Sequence, residues 1–518
     1  MTDYDAVIIG AGHNGLICAS YLAKAGKHVM VIDGRTEPGG CASSREFTPG
    51  FNVSDCAQWL SQFDQSIVKD LDLKGAGLSL GKAKATISLQ PDADHLILDG
   101  DQVSGAGVDP VDQAAYRDFR EMVRSFAKLM TTLYRNRPPK LVEQNWTDRF
   151  TLMKLGLKLK MLSRERLRDL MRVVMINIYD VMNEHFSHPA LKSTIALDAV
   201  TGTNMGPRSP NTVYSYLHRA TGEHLGQTGT TQVIGGMGAL GKALATTAEK
   251  HGATLKLGTA VSAIDKTGDR VTGVTLASGE TVSAKIVISN ADPTTTFRDL
   301  LGYHQMEAGM AKRTEHYRSR SGTAKLHLAL SELPTFTGLT EAQLSERLVI
   351  TPSMDSMETA LNPMKYRELS SGHIFDISIP TVEDPGLAPV GEHMLTAIVH
   401  YVPFAPDIGW EAGKPRLLNQ LLEELEAYAP GIGALVKASE LVVPSDFEAS
   451  HGMTGGNWHH GELSIDQALM MRPFPGSTQY ATAVDGLYLC GAGAHPGGGI
   501  QGLPGRNAAK EILKRGAL

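Results

Sequence analysis

Cysteine is scarce in this chain. Four occur in 518 residues, at Cys18, Cys41, Cys56 and Cys490, and no two form a CxxC pair. That spacing argues against zinc ribbons and simple redox dithiols, and four free thiols in a long chain fit a reducing compartment. No apolar run reaches the ~18–20 residues that span a bilayer. The opening residues, Met1 to Asp5, carry acids and lead straight into a strand, the pattern of neither a signal peptide nor an Arg-rich transit peptide. A cytoplasmic location is therefore expected. Excess positive charge is missing too: the formal net charge is −6, so no nucleic-acid partner is expected. The histidines and cysteines show no third ligand at the spacing a metal needs, and no metal site is expected.

Glycine is what the chain has in abundance. The 54 glycines are about one residue in ten, against a usual ~7%, and many fall in a few clusters where backbone bends sharply or approaches a ligand. At this length one simple core is too small a description, and two interleaved domains are expected.

The first cluster follows a short apolar strand, Asp5 to Gly10. Gly10-Ala-Gly12-His-Asn-Gly15 leads into a segment of helical composition that Gly26 ends, and Val29 to Asp33 reads as a second strand. This is a βαβ start with a GxGxxG turn. Gly10 permits the tight turn, Gly12 lets backbone reach a diphosphate, and Gly15 allows close helix–strand packing. The helix N-terminus offers unpaired N–H groups to phosphate. Asp33, 23 residues after Gly10, is placed to accept both ribose hydroxyls.

Beyond Asp33 the chain reads Gly34-Arg35-Thr-Glu-Pro-Gly39-Gly40-Cys41. With these residues the sequence resembles the FAD superfamily of glutathione reductase, amine oxidases and phytoene desaturases. In that superfamily the acid–arginine–Gly-Gly stretch accompanies FAD, so the resemblance implies FAD held in part by Gly34, Arg35, Gly39 and Gly40. Disulfide reductases would place a second cysteine five positions after Cys41. Glu46 stands there, so Cys41 reads as a small packing residue.

A glycine cluster returns at Gly235-Gly236-Met-Gly238, followed by a helix through Lys250 and short alternating strands as far as Asn290. The resemblance places this block in the FAD domain, with Val261 beside the adenine. No second dinucleotide fingerprint occurs, so a docked NAD(P)H is not expected. Residues 1–75, 226–300 and 456–518 are thus expected to form a discontinuous Rossmann-type α/β domain, interleaved with an α+β substrate domain of residues 76–225 and 301–455.

Within that substrate domain, Leu152 to Ile176 reads as a basic amphipathic helix. Apolar residues at 152, 155, 159 and 162 are interleaved with Lys154, Lys158, Lys160, Arg164, Arg166, Arg168 and Arg172. Two readings stand: a helix packed on its own domain with a solvated basic face, or peripheral contact with an anionic membrane.

The densest glycine cluster closes the chain. A strand ending at Cys490 enters Gly491-Ala-Gly493-Ala-His495-Pro-Gly497-Gly498-Gly499-Ile-Gln-Gly502, and a helix is expected from about Asn507 to Arg515. Such a loop lets backbone lie flat against something large and planar. It is similar to the carboxyl-terminal signature of bacterial-type phytoene desaturases. The resemblance implies that Gly491, Gly493, Gly497, Gly498 and Gly499 hold the ribityl chain and isoalloxazine, although no acid accompanies Gly491-Ala-Gly493 to hold a ribityl hydroxyl.

Two histidine positions invite chemistry. His495 sits in the flavin loop, while His459 and His460 lie some forty residues earlier. If residues 459 and 460 are extended, their side chains point to opposite faces and only one can serve a site. His495 and His459 are the candidate catalytic residues. The leading expectation is an FAD-dependent oxidoreductase that takes hydride from a C–H bond of a lipophilic small molecule, with an unidentified electron acceptor. A flavin amine oxidase, a non-redox flavin isomerase and a non-catalytic flavin-bearing scaffold remain open.

Overall fold

The run Ala6-Val-Ile-Ile9 is apolar throughout because it is buried on both faces. It forms the strand Tyr4–Ile9 at the centre of a seven-stranded sheet, flanked by parallel strands Val29–Ile32 and Thr281–Ser289. The structure is a computed structural model and describes residues 4–142 and 144–518; the first three positions of the expected FAD domain lie outside the described residues. From Tyr4–Ile9 the sheet runs outward through Val29–Ile32 to Thr254–Lys256 on one side. On the other it continues through Thr281–Ser289 into an antiparallel meander of Arg270–Leu276 and Val261–Thr267. The C-terminal strand Leu487–Leu489 adds parallel to Thr281–Ser289.

The helix His13–Lys24 packs against two others, Met237–Lys250 and Leu503–Arg515. Gly505 makes the second contact close, since a Cβ there would stand 2.1 Å from the Asn14 carbonyl oxygen. The last helix begins at Leu503, about four residues earlier than expected, because Pro504 fits its first turn.

The second sheet has eight strands. Its centre is Thr323–Leu330, His393–His400 and Ile374–Ser378, with Val436–Val442 on one edge. Arg347–Ile350 continues it on the other side and, through a parallel pairing with Thr86–Ser88, connects to Leu96–Asp99 and Gln102–Ser104. Leu417, Leu421 and Leu425 of helix Gly409–Glu426 cover part of it. A separate apolar core gathers helices Pro110–Tyr134, Ile178–His185, Pro189–Val200 and Thr212–Ala220.

The expected helix over 152–176 is two helices, Trp146–Lys160 and Arg164–Val173. The chain breaks where the Ser163 hydroxyl accepts the Arg166 amide at 3.1 Å and caps a new start. Leu152, Leu155, Leu159 and Leu162 are the half-buried face, with Leu159 and Leu162 against the helical core. A second apolar stripe, at Trp146, Phe150, Met153, Leu157 and Met161, faces outward, and Trp146 is 82% exposed. No helix among the described residues is long and apolar enough to cross a membrane.

Candidate functional site

The GxGxxG turn forms as its spacing requires. Gly10 has φ +99°, and a Cβ on Gly15 would lie 2.2 Å from the Gly10 carbonyl oxygen, so only glycine allows the helix to start this close to the strand. Gly12 caps the helix with no side-chain partner, which leaves helix N–H groups for a ligand. The Gly39-Gly40 loop lies alongside: the Gly39 amide donates to Ala11 at 2.8 Å, and a Cβ on Gly40 would meet the Gly12 Cα at 3.0 Å. Asp33 accepts the amides of Ala11 at 2.7 Å and Arg35 at 2.8 Å, and its carboxylate stands in the wall of a cavity. Arg35 turns to Asp55, 2.8 Å away. Burial alone would raise the Asp55 carboxyl, but His451 at 3.2 Å and Arg45 at 2.9 Å hold it well below the usual carboxylate range.

That cavity has a volume of about 570 Å³, within the range of small-molecule sites. At one end its wall is Gly10, Gly12, Asp33, Gly34, Arg35 and Gly40, with Val261 and Ala260 beside them. The C-terminal loop contributes Ala492, Gly498, Gly499 and Ile500. The two glycine-dense ends of the chain therefore meet around one space. Gly15, Gly39, Gly491, Gly493 and Gly497 are not in the wall. Several of them serve packing: a Cβ on Gly39 would lie 2.2 Å from the Ala42 oxygen, one on Gly491 2.4 Å from the Asn290 oxygen, and one on Gly493 2.4 Å from Pro293. Cys41, expected as a packing residue, lies in the wall with its Sγ 3.2 Å from the Met453 sulfur.

Both His459 and His460 face the cavity. The segment is a turn and not the extended strand on which only one ring could serve a site: the His460 amide bonds the Asn457 carbonyl at 3.0 Å, and His460 has φ +55°. Fully buried Arg472 secures this turn to the C-terminal loop by donating to the carbonyls of His459, Gln467 and Ala492. His459 Nδ1 is buried without a partner, and burial, reinforced by His218 and Arg472, lowers its pKa to about 3. His495, in contrast, is not among the wall residues. Its two ring nitrogens lie 3.1 and 3.2 Å from the carbonyls of Leu469 and Leu133, and burial lowers its pKa to about 4. Its geometry is that of a brace between the C-terminal loop and the helical core.

Sequence reasoning missed the far end of the cavity, where Trp59, Asp198, Ser215, Arg219 and Asp376 line the wall. Buried Arg347 reaches Asp198 at 2.9 Å and Asp376 at 2.8 Å; Arg219 Nε lies 3.1 Å from Asp198, and the Trp59 indole donates to Asp376 at 2.9 Å. These residues come from segments far apart in the chain, with no shared motif. One signal was available: Ser215, His218 and Arg219 have i, i+3, i+4 spacing on one helix and so share a face. Asn290 was missed as well. Its side chain, at the end of a strand, fills the space above Gly10 and Gly12.

The site fits FAD on the structure's own terms. Glycines line the cradle beside the helix start, Asp33 supplies a carboxylate in its wall, and buried His13 Nε2 and Asn14 Oδ1 lack partners there. Comparison with known proteins agrees. The profile of flavin containing amine oxidoreductases matches residues 15–513. Pyridine nucleotide-disulfide oxidoreductase domain-containing protein 2 of Rattus norvegicus is 32% identical over 99% of this chain and 94% of its own length. A lycopene-forming phytoene desaturase of a Paracoccus species is 27% identical over 96% and 95%. Among solved structures, putrescine oxidase bound to putrescine has the same fold, with a TM-score of 0.61 at 15% identity over 99% of this chain and 100% of that one. The chain belongs to the flavin containing amine oxidoreductase family, and its cofactor is FAD.

Proposed function

We propose that this chain is an FAD-dependent dehydrogenase of the desaturase-like type, acting on a C–H bond of a hydrocarbon-rich small molecule. The observation that carries this reading is the charge balance at the far end of the cavity. Asp198 is paired with Arg219 and Arg347, and Asp376 with Arg347 and the Trp59 indole, so neither of these carboxylates is left free to hold an ammonium group. That argues against an amine substrate. The phytoene desaturase relative supports the hydrocarbon reading.

FAD, when bound, supplies the acceptor for the substrate's hydride. The chain's own residues then bind and orient. We assign the diphosphate to Gly10, Gly12 and the free N–H groups of the first helix, with Gly34, Arg35, Gly39 and Gly40 shaping the second wall of that cradle. Asp33 would accept the ribose hydroxyls, and Val261 would lie on the adenine side. Gly498 and Gly499 would present backbone to the ring, while Gly491, Gly493 and Gly497 set the course of that loop. His459 stays neutral across the working pH range, because its pKa is about 3, and offers a hydrogen bond rather than a strong base. Membrane contact belongs to the same reading, because the outward stripe of helix Trp146–Lys160 has Arg149, Lys154, Lys158 and Lys160 around it, suited to an anionic lipid surface that holds such a substrate.

Anaerobic mixing of the oxidised holoprotein with isoprenoid alkenes and, separately, with aliphatic amines such as putrescine tests the assignment. Bleaching of the flavin by the alkenes alone supports it. Bleaching by the amines alone replaces it with amine oxidation.

A further inference from the structure

The wall opposite the nucleotide cradle holds two residues with polar atoms that nothing among the described residues satisfies. Arg219 uses its Nε on Asp198, 3.1 Å away, and its Nη2 is buried with no hydrogen-bond partner. The Ser215 hydroxyl, one helical turn earlier in a residue only 4% exposed, is also buried and unpartnered. Both residues line the cavity, and i, i+4 spacing on helix Thr212–Ala220 puts them on the same face. Buried donors without partners cost stability, and such groups persist where a ligand completes them.

The surrounding charge says what kind of ligand. Two guanidinium groups, Arg219 and Arg347, face two carboxylates, Asp198 and Asp376, so the cluster is already neutral. Adding an anion would leave a net buried charge, and an ammonium would meet only spent carboxylates and the free Arg219 donor. An uncharged oxygen acceptor suits both a free N–H and a free hydroxyl.

We infer that Arg219 and Ser215 form a receptor for a carbonyl oxygen of the substrate, a ketone or ester group on an otherwise apolar molecule. This rests on the dehydrogenase reading and deepens it: the oxygen fixes one end of the chain so that a chosen C–H bond lies over the flavin. Arg219 and Ser215 are positioning residues in this scheme.

Titration of the oxidised holoprotein with methyl octyl ketone, decane and decylamine tests it, with perturbation of the flavin absorbance band as the signal. The ketone is expected to bind most tightly and decylamine least. Arg219→Lys keeps a cation opposite Asp198 but loses the forked second donor. It is expected to weaken the ketone by about tenfold while leaving decane unchanged, and Ser215→Ala to weaken it by a smaller factor. Thermal midpoints of both variants check that the fold is intact; if Arg219→Lys fails to fold, Ser215→Ala carries the test. Ketone binding that ignores a folded variant, as when only water fills the subsite, overturns the inference, and so does equal binding of decylamine. Because this measures binding without turnover, it is separate from the reduction assay. If alkenes fail to bleach the flavin while ketone binding still depends on Arg219, the dehydrogenase reading fails and the receptor stands.

Discussion

Nδ2 of Asn290 stands 2.6 Å from where a Cβ on Gly12 would be. The residue that follows the sheet's long strand thus closes over the glycine turn, and its side chain takes the space a Cβ at Gly12 would need. The neighbouring Gly15 is different, because its missing Cβ would strike the backbone oxygen of Gly10 at 2.2 Å. The two glycines therefore separate on substitution. Gly12→Ala is expected to fold, by displacing the mobile end of Asn290, and to purify with little flavin. Gly15→Ala is expected to lose thermal stability, by about 1–3 kcal/mol, because backbone must move. Flavin content and thermal midpoints distinguish the two; a yellow, fully loaded Gly12→Ala would remove that residue from the cofactor cradle.

His495 and His459 are expected to part company in the same way. Removing the buried His495 ring leaves a cavity and takes away the one hydrogen bond its neutral ring can donate to the Leu133 or Leu469 carbonyl, so His495→Ala is expected to destabilise the fold by about 1–3 kcal/mol and leave the rate of flavin reduction unchanged. His459→Ala removes a side chain that faces the cavity, and there the rate is expected to fall with little change in midpoint. The opposite pattern would restore His495 to the chemistry.

Acid sensitivity follows from the buried histidines. Burial is the first cause of depression at His13 and His459, to about 3, and at His218 and His495, to about 4, against an ordinary value of 6.5. Each takes up a proton more readily when unfolded. The stability due to their neutral forms is therefore complete above pH 6.5 and is lost as pH falls from there, toward about 4 for His218 and His495 and toward about 3 for His13 and His459. Asp55, held low by His451 and Arg45 despite burial, adds a loss in the same direction at lower pH. A thermal midpoint that stays flat from pH 7 to pH 4 would contradict this account.

Much of the nucleotide end was legible in the sequence, and the reason is physical. Gly10, Gly12, Gly15 and Asp33 act through local backbone geometry, which spacing along one strand–turn–helix determines. The far end was not legible. Arg347, Asp198 and Asp376 are ordinary charged residues until strands Arg347–Ile350 and Ile374–Ser378 and helix Pro189–Val200 bring them together. The 152–176 segment shows the same limit. Its apolar period was readable, but the sequence did not indicate that Ser163 would end one helix and start another, nor that a second apolar stripe would face outward.

That outward stripe is testable. Sedimentation with vesicles containing anionic phospholipid is expected to capture the protein, and Trp146→Glu with Phe150→Glu to weaken capture by roughly tenfold or more. Both side chains are more than half exposed, so the midpoint is expected to hold. Equal capture of the double variant would assign the stripe another purpose.

The central claim is that the chain's two glycine-dense ends hold one FAD between them. A crystal structure of the flavin-loaded protein tests it most directly. The account predicts the diphosphate against Gly10 and Gly12, and the tricyclic ring against Gly498 to Ile500 with His459 beside it. A ring lying away from the C-terminal loop, or a diphosphate outside the first glycine turn, would contradict it.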